Sequence, residues 1–170
     1  VILSSYLLEM GADVTYRIPE RDEGYGLNVD AVHAMHEDGV ELIVTVDNGI
    51  TAIAEAELIA DLGMTLVITD HHQPLETLPK AAAIVDAHRA DDTSPFHDLC
   101  GAGVALKLVA ALDGGDTAMA LEQFGELAAI ATIADVVNLS GENRYLVQLG
   151  LRLLANTERV GLLALLEKSG

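Results

Sequence analysis

The sequence predicts an α/β fold, a doubly wound parallel sheet with helices on both faces and a helical C-terminal part. Three observations carry this. Short β-rich runs alternate with helix-length segments through the first half of the chain, the pattern of βαβ units. The runs at 41–46 (ELIVTV) and 65–69 (TLVIT) are nearly continuous in apolar and β-branched residues, as strands covered on both faces require. From residue 101 onward no strand-like run remains.

Residues 1–10 place Val1, Leu3, Leu7 and Leu8 at helical spacings, with Gly11 where a C-terminal cap belongs. Residues 13–18 (DVTYRI) are β-rich and stop at Pro19, which predicts a strand followed by a charged, glycine-bearing loop over 20–26. Asn28 suits the N-cap of a helix carrying Val29, Val32 and Met35 and ending near Gly39. After the strand at 41–46, Ile50, Ala54, Leu58 and Leu62 recur every four residues and predict a helix that stops at Gly63. The strand at 65–69 follows, then a loop with Pro74 and Pro79, then a third strand at 83–85 (AIV). Segments 101–112, 118–133, 144–156 and 160–168 read as helices. The core is expected over 1–139, and 140–170 as C-terminal helices leading toward a further domain outside this sequence.

The 170 residues are 51% apolar, which suits a single folded domain and excludes disorder as the main state. Nine Lys and Arg against 27 Asp and Glu give a net charge of −18. Such a balance speaks against a simple nucleic-acid coat, because phosphate binding draws largely on Lys and Arg. Any nucleic-acid contact must rest on a local site, a metal, or additional basic domains. The longest apolar runs, such as 162–166, fall far short of the ~20 residues of a membrane span, so no membrane partner is expected. The single cysteine, Cys100, cannot form an internal disulfide, and no basic leader precedes an apolar stretch. A reducing cytoplasm is the expected compartment.

Chemistry concentrates at the strand ends. VTVD ends at Asp47, VITD at Asp70 and AIVD at Asp86, so three carboxylates converge on one edge if the strands are parallel neighbours. His71 and His72 follow the second, and Asp135 closes another apolar run, IATIAD. Carboxylates so grouped repel one another unless a cation neutralises them. Carboxylate oxygen with imidazole nitrogen and no useful thiolate suits Mn²⁺ better than structural zinc or calcium, with Mg²⁺ left open as the alternative. Two such ions would clamp the oxygens of a phosphoester undergoing hydrolysis. A bland reading stands beside each residue. An Asp after a strand is often only a turn former or N-cap, above all Asp86. His33 and His36 read as surface, His88 and His97 as loop residues, and Cys100 as a small buried side chain.

TVDNGIT (45–51), ITDHHQP (68–74) and IATIADVV (130–137) resemble the second, third and fourth motifs of the DHH phosphoesterases. Within that superfamily, RIPERDEGYGLN (17–28) and LCGAGVALKL (99–108) look more like the single-stranded-DNA-specific exonucleases than the small-molecule phosphatases. The resemblance implies two-metal hydrolysis of single-stranded DNA from the 5′ end, in DNA repair and recombination, with Mn²⁺ as cofactor and Mg²⁺ as the alternative. It implies that Asp47 bridges two ions, that His71 and Asp135 bind metal, and that His72 contacts metal or phosphate. Asp70 is expected to orient the histidines from behind. Arg17 and Arg21 are the candidates to hold DNA phosphates, for which a planar guanidinium is suited. Gly101 and Gly103 open a helix whose N–H groups could cradle an anion, and close helix packing explains them equally well.

Two departures from the family pattern stand out. The first motif, Asp-x-Asp-Gly, is absent and expected upstream of Val1, and Asp86-Ala87 replaces the Asn-Pro usual after the third strand. Nothing resembles the family's second domain or its nucleic-acid-binding OB domain, so basic DNA-gripping surfaces are expected in C-terminal domains of the same protein. The chain as given is expected to fold but not to cleave. Two other readings stand beside this one. A phosphodiesterase or phosphatase for short oligonucleotides, cyclic dinucleotides or nucleoside bisphosphates is opposed by the 17–28 and 99–108 blocks. A non-catalytic scaffold is opposed by the retention of Asp47, His71, His72 and Asp135. A dinucleotide-binding fold fails for want of Gly-x-Gly-x-x-Gly after a strand.

Overall fold

The computed structural model describes residues 1–19 and 26–169. In chain order these form α1 (Ile2–Glu9), α2 (Val29–Glu37), β1 (Leu42–Val46), α3 (Ile53–Asp61), β2 (Thr65–Thr69), β3 (Ala83–Val85), α4 (Gly101–Leu112), α5 (Thr117–Ala134), α6 (Gly141–Leu154) and α7 (Val160–Ser169). The strands make one parallel sheet in the order β1-β2-β3, with Val46 opposite Thr69 and Thr69 opposite Val85. Local chemistry sets two of the helix starts. Asn28 Oδ1 accepts the Ala31 N–H at 2.7 Å, and Asp116 Oδ1 accepts that of Met119 at 2.9 Å, each satisfying an amide that the first turn leaves open.

Alternation along the strands divides the interior into two layers. Ile43, Leu66 and Ile68 face α2 and α3 and pack with Val32, Ala56, Ile59 and Met64. Val44 and Val46 face the other way, onto Ile2 and Tyr6 of α1, Val109 of α4, Phe124 and Ala128 of α5 and Leu146 of α6. Helices therefore cover both faces, and from residue 101 onward the described residues form α4, α5, α6 and α7 with no strand, as the sequence predicts. No helix among the described residues is long and apolar enough to cross a membrane.

Residues 13–18 correct the sequence reading, because they form no strand. Their β-rich composition pairs with no strand among the described residues, and Tyr16 and Ile18 stand 72% and 75% exposed. Strand propensity is a packing preference, and here the packing is missing.

Helix α6 lies closely against α5. A Cβ at Gly150 would stand 2.3 Å from the Gly125 carbonyl oxygen and 2.3 Å from Ala129 Cβ, so only glycine admits this approach. Helix α7 buries none of its residues. Gly150→Ala is expected to destabilise the chain by about 1–3 kcal/mol, because backbone must move to admit the methyl. Gly161→Ala in α7, where an added Cβ meets nothing within 4 Å, should cost nothing. Denaturant melts of the two variants check this, and equal stabilities would contradict the packing described.

Candidate metal centre

Asp47, Asp70 and Asp86 directly follow β1, β2 and β3, and the parallel pairing puts all three on one edge of the sheet. The ladder continues one residue past the strands, since Asp47 N–H donates to Thr69 O at 3.0 Å and Asp70 N–H to Val85 O at 3.0 Å. Asp47 then takes φ +67, a left-handed conformation that a short polar side chain tolerates better than most. The turn brings the chain back over the second strand end, where Ile50 N–H reaches Asp70 Oδ2 at 2.9 Å. Helix α4 closes in from the other side. A Cβ at Gly101 would stand 2.3 Å from Asp47 Oδ1, so the helix can begin against that carboxylate only with glycine in place.

Asp70 is 1% exposed. Its Oδ1 accepts the His71 N–H at 2.8 Å and the His72 N–H at 3.3 Å, and lies 2.7 Å from His72 Nδ1. Burial pushes its pKa up, but the hydrogen bonds from Ile50, His72 and His71 outweigh that and hold the carboxyl below its ordinary value. It therefore stays charged while fixing both histidine backbones and one ring.

His71 Nε2 is 3.0 Å from Asp47 Oδ1 and 3.5 Å from Asp135 Oδ2. The hydrogen bond to Asp47 raises the imidazole pKa; burial opposes the rise, and the charges of Asp135, Asp47 and Asp70 reinforce it. Asp47, His71 and His72 offer ligand atoms that all lie within 4.8 Å of one another. Asp135, the C-cap of α5, completes the group from the helical half of the chain. Beside it a cavity of about 290 Å³ is lined by Asp47, Cys100, Gly101 and Asp135 together with alanines of α4 and α5.

The remaining described candidates are not among the clustered ligand atoms. Asp86 is 2% exposed and its Oδ1 accepts the His88 N–H at 2.8 Å, so it is the turn former of the bland reading, with its pKa raised by burial. His33 and His36 are exposed on α2, and His97 is an exposed loop residue whose Nδ1 meets the Ala87 carbonyl. Cys100 is buried, with Sγ 3.5 Å from Thr132 Oγ1. A Cβ at Gly103 would press on the Leu99 side chain at 3.1 Å, which gives that glycine a packing role. Arg17 is exposed between α1 and α2, and Arg21 lies outside the described residues.

Sequence reasoning missed Asn143. It is completely buried, and its Nδ2 donates to Asp98 O at 2.6 Å and Asn138 O at 3.0 Å. A signal was available, because Asn143, Leu146, Val147 and Gly150 follow the i, i+3, i+4, i+7 pattern of a buried helix face, and a lone amide on such a face demands partners.

The raised pKa of His71 has a defined sign. Its imidazolium is favoured in the folded chain, so the stability it contributes is full below its ordinary value of 6.5 and is lost as pH rises through the raised value. Without metal, the melting-temperature advantage of the wild-type chain over His71→Gln should shrink as pH rises above 6.5. Thermal melts in chelator check this, and a pH-independent difference would contradict the ion-pair geometry.

Residues 1–136 match the DHH family, N-terminal domain. The single-stranded-DNA-specific exonuclease RecJ of Bacillus subtilis strain 168 is 45% identical over 165 residues, covering 96% of this chain and 20% of that protein. The RecJ exonuclease of Escherichia coli strain K12 is 40% identical over 169 residues, covering 92% of this chain and 29% of that protein. Among solved structures, a crystal structure of exonuclease RecJ bound to manganese matches with a TM-score of 0.86 and 38% identity, over 99% of this chain and 43% of that one. RecJ from Thermus thermophilus in complex with Mn²⁺ matches with a TM-score of 0.80 and 35% identity, over 99% of this chain and 24% of that one. The chain thus spans less than half the length of each of these proteins. With the family match running through β1, β2, β3, α4 and α5 to the residue after Asp135, the chain belongs to the DHH family.

Proposed function

We propose that this chain is the catalytic core of a single-strand-specific DNA exonuclease of RecJ type, which hydrolyses phosphodiester bonds from the 5′ end with Mn²⁺ held by Asp47, His71, His72 and Asp135. One observation carries the reading. A carboxylate from a strand end and a carboxylate from a helix end meet at one imidazole nitrogen, 3.0 and 3.5 Å away, in a fold that matches two manganese-bound RecJ structures.

The residues present fit the metal. The donors are carboxylate oxygen and imidazole nitrogen, a set suited to Mn²⁺, and Mg²⁺ is the alternative that the carboxylates would also take. A bound pair of such ions supplies a water ionised near neutral pH and positive charge against the phosphate oxygens. The protein supplies the placement. Asp70 stays ionised in its buried position and holds the His72 ring through Nδ1. His71 must give up its proton to bind metal, which the neighbouring carboxylates resist until an ion replaces that proton. Gly101 leaves Asp47 its position, and the cavity beside Asp47 and Asp135 gives a phosphodiester room to approach. Arg17 and Arg21, with the amides of Gly101 and Gly103, are proposed to hold DNA phosphates.

A surface of net charge −18 needs help to retain DNA, and the relatives extend well beyond the matched region. We assign that help to C-terminal domains, toward which residues 140–170 lead from the 1–139 core. The exposed Val160, Leu163, Leu165 and Leu166 of α7 suit contact with such a domain. The setting proposed is DNA repair and recombination in a reducing cytoplasm, where the buried thiol of Cys100 stays reduced.

The test is Mn²⁺-dependent release of nucleotides from labelled single strands by a longer chain that carries this core with the remaining length of its relatives. Asp47→Ala and His71→Ala should each reduce release to background while both variants still unfold cooperatively without metal, and chelator should abolish wild-type release. Undiminished digestion by either variant would overturn the assignment. Preference for dinucleotides or nucleoside bisphosphates over long strands would move the substrate to small molecules.

A further inference from the structure

Asn143 sits in the first turn of α6 and is 0% exposed. A buried amide must find partners, and both hydrogens of its Nδ2 go to backbone carbonyls of segments far from each other in sequence. Asp98 O, at 2.6 Å, belongs to the entry of α4, three residues before Gly101. Asn138 O, at 3.0 Å, belongs to the loop after α5, three residues past Asp135. The side chain therefore bridges the two segments that enter the metal centre from outside the sheet.

The segment between Asp135 and Asn138 is strained. Val136 takes φ +58, a conformation that a β-branched residue adopts rarely and at a cost. Its side chain is 86% exposed, so packing around it does not impose that conformation. Such outliers persist where the surroundings over-determine them. Here the constraint comes from both ends. Asp135 N–H and Val136 N–H are bonded back into α5 at Ala131 O and Ile133 O, at 2.9 and 3.2 Å, and Asn138 O is held by Asn143. Asp98 and Asn138, with His71 and His88, also line a cavity of about 230 Å³, whose walls the same amide ties together.

We infer that Asn143 is a positioning residue of the metal centre: its carboxamide clamps the loop after α5 to the entry of α4, sustains the left-handed turn at Val136, and so holds Asp135 against His71 Nε2. This rests on the metal reading given above. Its action runs through backbone, and it touches neither metal nor substrate.

The experiment measures Mn²⁺ binding by the 170-residue chain from the electron paramagnetic resonance signal of free Mn²⁺, with metal-free melting recorded alongside. Asn143→Ala should weaken Mn²⁺ binding by about 10- to 100-fold, the range usual for groups that orient ligands. Val136→Gly added to Asn143→Ala should recover most of that loss, because glycine takes the left-handed turn without a clamp. Because glycine relieves that strain in any background, Val136→Gly alone is the control, and its gain in Mn²⁺ affinity should be smaller than the recovery it gives in Asn143→Ala, whereas equal gains would mark a residue needed only for general stability. If Asn143→Ala does not fold, Asn143→Ser, which keeps one donor, and its combination with Val136→Gly give the same comparison. Wild-type affinity in Asn143→Ala or Asn143→Ser, or a loss that Val136→Gly does not repair, overturns the inference. Absence of Mn²⁺ binding by the wild-type chain would instead overturn the metal reading on which it rests.

Discussion

The buried carboxylate of Asp70 organises the site. A charge at 1% exposure is costly unless it is compensated, and Asp70 is compensated by three backbone N–H groups and one imidazole. Those donors come from two places, the loop after β1 and the turn after β2. Satisfying the charge therefore fixes the path of the chain beyond Asp47 and the directions of His71 and His72 in one step. Replaced by an apolar side chain, Asp70 would leave the Ile50 and histidine amides without an acceptor, and the two strand ends would no longer be tied.

A second constraint works against the first. Asp47, Asp70 and Asp135 all bear on His71, and their charges reinforce the hydrogen bond that its imidazole donates to Asp47 in raising its pKa. Without a cation, a protonated His71 supplies positive charge to this cluster. The centre is thus built around a position that wants positive charge, and a proton and a divalent ion compete for it. The fold tolerates this because it holds the carboxylates from separate elements, a strand end, a buried turn and a helix cap, each fixed by bonds outside the cluster. Backbone in left-handed conformation at Asp47 and Val136 marks the places where that placement is maintained against local preference.

Much of this was legible in the sequence because the signals were local. Continuous apolar runs at 41–46 and 65–69 identify strands covered on both faces, and an aspartate after each places the carboxylates on one edge once the strands are parallel. Asn28 as a cap, the surface positions of His33 and His36, and Asp86 as a turn former likewise follow from chemistry within a few residues. What was not legible depends on distant partners. Residues 13–18 have strand composition but join no strand among the described residues. Gly101 reads as a helix opener, whereas its necessity comes from Asp47, far back in the sequence. Asn143 carries no local signal of its partners, and only the packing of α6 reveals that both of its donors are committed.

If Asp47, His71 and Asp135 surround a cation position, anomalous scattering from crystals of this chain soaked in Mn²⁺ should locate the ion there. The expected result is a manganese peak in coordination contact with His71 Nε2 and with carboxylate oxygens of Asp47 and Asp135, with His72 still bonded to Asp70 through Nδ1. A peak bound elsewhere, or a cluster that keeps its His71 to Asp47 contact while Mn²⁺ binds at another site, would contradict it.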